Sequence, residues 1–488
     1  MLLTEKEKRM MSKLVKDHKY VDNEFSLESD GVERKRPHEL TAKPELFIDG
    51  PSHMDVKQEG LGDCWFLCVA SVIAQHPHLI HQIIPRDQYL YGNEYQGILA
   101  FRFWNLGQWK TVYIDDTLPL DENGELIYSR CTKSNEFWLP LLEKAFAKFH
   151  GSYSVIEGGF SNEAFLCLSG YIIKDYSCSR FNHRQLHDLF DMEIQHNSLI
   201  ATGTMGTDEE QGIAEYHAYS VTGAYMVRAG DSFIRLVRVR NPRGDVEDSE
   251  WKGAFSDNDP KWTGVHPETR KKMEYVKDED GQFFMKTAHF KKHFPQFTVA
   301  SRYPNFGDCY ETPAHQIYVV NNVWEEGISV VGDVDYAENF LRNPQYLLTV
   351  EELDEEQGNK SDEEEKEKEQ EEEKEEEHKI HPIYNVIIEL LQEQNRTKYE
   401  KEQYGIGVTV FQTGGKYPEK LTVENFEEFE PHKGSTKFWE SCSSIARLKL
   451  TSGKYIVVPC TYHSSDGRPF LMRVYSCRPI VIEPIKNE

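Results

Sequence analysis

One stretch constrains this chain more than any other: Gln58-Glu-Gly-Leu-Gly-Asp-Cys64-Trp-Phe-Leu67, followed by an apolar run to Ile73. Residues 65–74 are apolar on nearly every side, which predicts a helix in the core of a folded domain. Asp63 suits the N-cap position, and Gly60 and Gly62 allow a tight entry turn. Cys64 then falls in the first helical turn, where the dipole and unpaired N–H groups favour a thiolate. The same donors can hold a developing oxyanion, and Gln58 can add a side-chain amide. A buried structural cysteine is the plainer reading of an isolated Cys in a core helix. Only a base elsewhere in the chain decides between the two.

That base is expected at His217. The runs 215–227 and 232–241 are rich in β-branched and aromatic residues, with a Gly-Asp turn signal between them. Folded as a hairpin centred on Ala229, they place His217 twelve residues before the centre and Asn241 twelve after it. The two then face each other across neighbouring strands, unless a bulge shifts the register. An Asn carbonyl oxygen opposite a His accepts a ring N–H and aims the other nitrogen at a thiol. This is the nucleophile, base and orienter arrangement of cysteine hydrolases.

These residues resemble the calpain family, the papain-like intracellular cysteine proteases. The similarity lies in Gln58–Phe66, in His217-Ala-Tyr-Ser-Val-Thr-Gly223 and in Arg240-Asn241-Pro-Arg-Gly244. It continues through Asn135–Ala145, Gly151-Ser-Tyr153 and Trp251–Asp257. The resemblance implies an α+β multidomain fold: a papain-like two-subdomain cysteine protease core followed by an antiparallel β-sandwich of the calpain type. Cys64, His217, Asn241 and Gln58 take the catalytic positions. It also implies one Ca2+ in each protease subdomain. The first would be held by the Ile48 and Gly50 carbonyls and the Asp55 and Glu136 side chains. The second would involve Glu250, Asp257, Asp278 and Asp280, with Glu247 competing with Glu250 beside a short insertion. Hard calcium wants several oxygens, and bidentate carboxylates provide them. Two departures stand out. Arg243 occupies a position where calpains usually carry Trp, and Gln282 replaces an expected Glu. A fixed cation beside the His disfavours an imidazolium, so Arg243 predicts lower activity or altered gating.

At 488 residues the chain exceeds one core, and several domains are expected. The expected division is an N-terminal arm at 1–43, a mostly helical subdomain at 44–155, a mostly β subdomain at 156–303 and a sandwich at 310–484. The arm reads as flexible or as a short surface helix, with reversible contact with a membrane or phospholipid surface as the alternative. Folded structure is expected to begin near Pro44. Strand-like runs recur at 316–320, 384–391, 405–411, 445–450, 455–460 and 470–475, separated by turn residues. Nine cysteines without framework spacing point to reduced thiols and a cytoplasmic protein. No run has the apolar length to span a bilayer, and no secretory segment opens the chain.

The formal net charge of −26 is uneven. Residues 351–378 hold seventeen acids against four lysines, a composition that builds no core and reads as a disordered or frayed loop within the sandwich. So acidic a chain is a poor nucleic-acid binder. No EF-hand loop is found, so a small EF-hand subunit is not expected as a partner, as in the atypical calpains. The leading reading is a calcium-regulated endopeptidase making limited cuts in protein substrates. The alternatives are a calpain-like regulatory or binding protein with weak or no activity, and a transglutaminase-like acyltransferase. The last normally orients its His with Asp, where this chain has Asn241.

Overall fold

The computed structural model describes residues 1–15, 19–25, 32–206, 211–230, 232–244, 249–307, 310, 312–314, 316–326, 340–352, 383–394, 396, 403–413, 420–436, 438–462 and 467–485. The bulk of the acidic tract, Glu247 and Cys309 lie outside these residues. The chain forms two compact units, Met1–Arg302 with Gln394–Glu402, and Tyr303–Glu393 with Gln403–Glu488.

The first unit is built on the Cys64–Ala74 helix, in which every residue from Trp65 to Ala74 is buried. Its sequence is apolar apart from Ser71, whose hydroxyl donates to the His53 carbonyl, and leaves no face for water, so it is packed on all sides. The Trp138–His150 helix lies against it through Phe66 and Phe146, whose stacked rings are 4.2 Å apart. Gly151, at φ 122°, ends that second helix, because its missing Cβ permits the turn. Strands Ile98–Asn105 and Gln108–Asp115 form a hairpin closed by Leu106 (φ 44°) and Gly107 (φ 81°). Two successive positive φ angles match the strand twist that a two-residue hairpin requires.

A six-stranded antiparallel sheet completes this unit. Its order is Gln282–Lys286, Ser232–Arg240, Ala218–Ala229, Leu199–Gly203, Gln296–Ser301, Ile172–Ser177. Phe190, Val221, Val239, Phe283, Phe290 and Phe297 belong to one core beneath it. The expected hairpin is present, but Ser232 pairs with Ala229 and a bulge falls between Arg238 and Val239. The register is therefore not the symmetrical one drawn from a centre at Ala229.

The N-terminal segment is not a free arm, and folded structure begins well before Pro44. The Glu5–Leu14 helix is capped by Thr4, and Leu3 and Met11 share a cluster with Ile98 and Ala100. Glu7 bonds the Arg102 guanidinium at 2.6 Å, both side chains being buried. Burial pushes the Glu7 carboxyl up, but the Arg102, Thr4 and Thr111 donors outweigh it and hold the group at about 2. This pairing of Glu7 with a residue ninety-five positions on leaves no periodic signal in the sequence.

In the second unit a four-stranded sheet runs Gln316–Val323, Pro469–Ser476, Val386–Gln392, Ser443–Leu448. A five-stranded sheet runs Trp439–Glu440, Gly405–Gln412, Gly453–Thr461, Tyr346–Val350, Ile480–Pro484. Alternate residues of both sheets, among them Ile388, Leu390 and Met472 from one and Leu348, Val408 and Val457 from the other, form a single apolar cluster. The six strands read from the sequence are all present. Tyr346–Val350, Trp439–Glu440 and Ile480–Pro484 are additional. The eight described cysteines are all free thiols, and no described helix is long and apolar enough to cross a membrane.

Candidate active site

Cys64 opens its helix as expected, yet the local electrostatics differ from the sequence reading. Asp63 holds the N-cap position but makes no side-chain cap, because its carboxyl turns inward and is fully buried. The thiol is partly buried. Burial pushes its pKa up, and the Asp63 carboxyl adds to that push. The Ala218 and Trp65 N–H groups and the Arg243 guanidinium pull it down without overcoming the burial. The first-turn position therefore does not by itself make a thiolate here.

The helix that Cys64 opens packs against the strand that begins at Ala218. Its neighbour His217 is 4% exposed. Its Nε2–H donates to Asn241 Oδ1 at 2.8 Å, so the ring is oriented and Nδ1 is left for a proton acceptor's role. Burial lowers the imidazole to about 4, with Arg243 lowering it further and Asn241 opposing. The backbone of His217 is fixed from the other side: its N–H donates to Thr204 Oγ1 at 3.0 Å, and its carbonyl accepts from Thr204 N at 3.0 Å. Asn241 is fully buried, donates through Nδ2 to Ser249 O at 3.0 Å, and accepts from Arg243 N at 3.0 Å. Among the described residues no hydrogen bond joins the thiol to the imidazole.

Gln58 lies on strand Val56–Gln58, paired with Ser129. Its Nε2 donates one N–H to Leu61 O at 2.8 Å, and an amide nitrogen carries a second. Its backbone N–H donates to Pro242 O at 2.8 Å, next to Asn241. Arg240 reinforces this junction. Its guanidinium, 1% exposed, donates to the carbonyls of His53 (3.0 Å), Val56 (3.1 Å) and Asp280. The four residues read as catalytic are thus brought together from segments nearly two hundred residues apart.

The residues read as calcium ligands fall into two loops. In the first, Glu136 Oε1 accepts from Ile48 N at 2.7 Å while its buried Oε2 has no partner. Burial and the nearby Asp55 push Glu136 up to about 7, and burial raises Asp55 as well. A cavity of about 320 Å³ opens here, lined by Ile48, Gly50, Asp55 and Lys133 among others. Lys133 Nζ donates to the Ile48 carbonyl and to Asp49, each at 3.0 Å. In the second loop a cavity of about 500 Å³ is lined by Glu250, Asp257 and Asp278, with Lys252 and Lys277. Both carboxylate oxygens of Asp257 are buried without a partner. Burial and the surrounding acids raise Asp257 to about 7 and Glu250 to about 8. Asp280 Oδ1 accepts from Gln282 N at 2.8 Å, and Gln282 Oε1 pairs with the His53 ring. Unpartnered buried carboxylate oxygens suit a hard cation. Even so, no three His, Cys, Asp or Glu side chains among the described residues are gathered closely enough to hold a metal ion as they stand.

Comparison with known proteins bears on this arrangement. The calpain family cysteine protease model matches residues 13–301, and the model of the calpain large subunit, domain III, matches 320–475. The chain belongs to the calpain family. It is 36% identical to human calpain-12 over 469 residues, covering 93% of this chain and 64% of that one. It is 30% identical to the human calpain-2 catalytic subunit over 479 residues, with 95% and 64% covered. For rat calpain-8 the identity is 30% over 464 residues, with 92% and 62% covered. The chain thus spans less than two thirds of the length of these relatives.

Some residues that build this calpain's site escaped the sequence reading. Arg240 and Lys133 act through carbonyls far away in the chain, while Thr204 and Ser249 lie in irregular segments close to His217 and Asn241, and neither arrangement leaves a periodic signal. Arg396 is another. Its guanidinium pairs with Glu163 at 2.8 Å, donates to the Val155 and Gly158 carbonyls, and lies 5.0 Å from the ring of Trp65, the residue after Cys64.

Proposed function

We propose that this calpain is a calcium-regulated cysteine endopeptidase that makes limited cuts in protein substrates. The observation that carries the proposal is the buried His217–Asn241 hydrogen bond, which orients the imidazole at the head of the strand packed against the Cys64 helix. Cys64 passes its proton to His217 Nδ1 and its Sγ attacks the scissile carbonyl. Gln58 Nε2 and the Cys64 N–H face the oxyanion that forms. Collapse of the tetrahedral adduct breaks the C–N bond, and His217 returns the proton to the leaving amine. Water then attacks the thioester with His217 as base, releasing the acid and restoring the thiol. Asn241 keeps Nε2–H occupied throughout, so that Nδ1 is the nitrogen that moves protons.

Ile48, Gly50, Asp55 and Glu136 would hold one calcium ion, and Glu250, Asp257, Asp278 and Asp280 a second. A bound cation would supply the charge that lets the raised Asp55, Glu136, Glu250, Asp257 and Asp280 carboxyls ionise together. The second unit is read as a β-sandwich whose two sheets enclose the shared apolar cluster. The free thiols of the described cysteines suit a cytoplasmic setting.

A second reading has one specific observation in its favour. Arg243 lowers the imidazole beside it, and with a raised thiol the resting pair is neutral, which suits a binding protein of weak activity. Cleavage of casein across a calcium titration, with Cys64→Ala in parallel, separates the readings. Cleavage that rises with calcium and vanishes in the variant supports the protease. Its absence at every calcium level in folded protein supports the binding role.

A further inference from the structure

Behind the start of the Cys64 helix lie two carboxyl groups that the proposed reaction does not use. Asp63 is fully buried, and neither of its carboxylate oxygens has a hydrogen-bond donor. Glu143, on the Trp138–His150 helix, is 1% exposed. Its Oε2 accepts from Ser129 N at 3.1 Å and Ser129 Oγ at 2.9 Å, while Oε1 has no partner. The two carboxyl groups are within hydrogen-bonding reach of each other. No salt bridge reaches either of them among the described residues. The titratable groups around the pair are the Cys64 and Cys68 thiols on the same helix as Asp63's carbonyl partners, the Tyr153 and Tyr128 phenols and, further off, Asp115, which is tied to Lys144.

Two buried carboxylates facing one another without a cation cannot both be ionised. A single proton between them converts an acceptor–acceptor repulsion into a hydrogen bond and gives the open oxygens a partner. We propose that Asp63 and Glu143 hold one proton in common and act together as a positioning pair for Cys64. The connection is short on both sides. Asp63 is joined to Cys64 by a peptide bond, and its carbonyl accepts the first helical N–H groups, from Phe66 (2.8 Å) and Leu67 (3.1 Å). Ser129, which donates to Glu143, is the strand partner of Gln58. The shared proton therefore fixes the thiol and the amide that faces the oxyanion relative to each other. Losing that proton at higher pH places a second negative charge next to Cys64 and disfavours its thiolate. Burial raises both carboxyls well above the ordinary carboxylate range, in keeping with one retained proton.

This inference rests on Cys64 being the nucleophile, but its test reads Cys64 chemically rather than through proteolysis. In the full chain, the rate of Cys64 alkylation by iodoacetamide, followed by mass spectrometry of its peptide, is measured from pH 6 to 10. Glu143→Gln and Glu143→Leu are compared with the unsubstituted chain. The Gln amide supplies the hydrogen bond permanently and cannot ionise. It should match the original rate within about twofold at pH 6.5 and exceed it by up to about tenfold at high pH, the effect of one unit in the thiol pKa. Leu leaves Asp63 charged and unpartnered, and should lower both melting temperature and alkylation rate at every pH. Identical pH profiles for Gln and the original chain overturn the proposal, as does equal behaviour of Gln and Leu. If Glu143→Gln does not fold, Asp63→Asn restores the same hydrogen bond from the other side, and failure of both amides also overturns it. Casein cleavage that persists in Cys64→Ala would instead sink the nucleophile assignment, whatever the alkylation profiles show.

Discussion

Replacing Arg240 with Met tests whether the two halves of the first unit are joined through one guanidinium. The side chain is almost wholly enclosed and serves the carbonyls of His53, Val56 and Asp280. Met keeps much of the volume but removes every donor. A net loss of about 1.5 kcal/mol or more for each charge-assisted bond, with incomplete additivity, gives about 3–5 kcal/mol in all. For a unit this large each kcal/mol moves the midpoint about 2 °C, so its transition should fall by about 6–10 °C. Arg240→Lys, a point charge that cannot fork across several carbonyls, should recover part of this. Differential scanning calorimetry of the full chain measures it, with the two units fitted as separate transitions. A fall below about 2 °C for Met, or a lysine variant no better than Met, would refute the reasoning.

Three further outcomes are expected. Arg243→Trp removes the cation that disfavours an imidazolium, so kcat/KM on a peptide substrate should rise several-fold, and an unchanged value sinks the explanation for this departure. Lys133→Met frees the Ile48 carbonyl from its ammonium partner, so calorimetry should find calcium bound more tightly, by about threefold to tenfold; weaker binding would show that Lys133 props the loop open instead. Acid should destabilise the fold through its buried neutral histidines. His53, His76, His81 and His217 are each lowered to about 4 by burial. Between about pH 6.5 and 4 the unfolded chain binds the protons that the native rings refuse, so the histidines' share of stability rises with pH across this window and is lost as pH falls through it. The raised Glu136, Glu250 and Asp257 carboxyls slope the other way in the same window, so the share is read by difference: His76→Gln should flatten the pH-dependent fall of the urea midpoint between pH 6.5 and 4.5, and an unchanged slope would contradict this.

The chemistry-bearing residues were legible in the sequence because each sits in a strong local signal. A largely apolar helix behind Gly-Asp-Cys, and two β-rich runs around a turn, place Cys64, His217 and Asn241 without distant information. The exact pairing across that hairpin was not legible, since the bulge at Arg238 has no residue signature. The state of the thiol was misjudged for a physical reason. Helix position is local, whereas burial and the inward turn of Asp63 depend on packing against the Trp138–His150 helix. A short N-terminal helix was one of two readings of that segment, but its docking was missed in the same way: a Lys- and Glu-rich segment reads as solvated until Glu7 is seen against Arg102.

Arg396 carries a consequence for how the protein is made. Its pairing with the buried Glu163 belongs to the first unit, yet it lies more than two hundred residues further along the chain. A ribosome releases residues in order, so Arg302 emerges long before the partner of Glu163 exists. Until then the nascent unit has a carboxylate in an apolar setting and an uncovered Trp65 ring. Folding of the cysteine-bearing half should therefore finish late, and a fragment stopped at residue 302 should remain a client of chaperones rather than a miniature of the first unit.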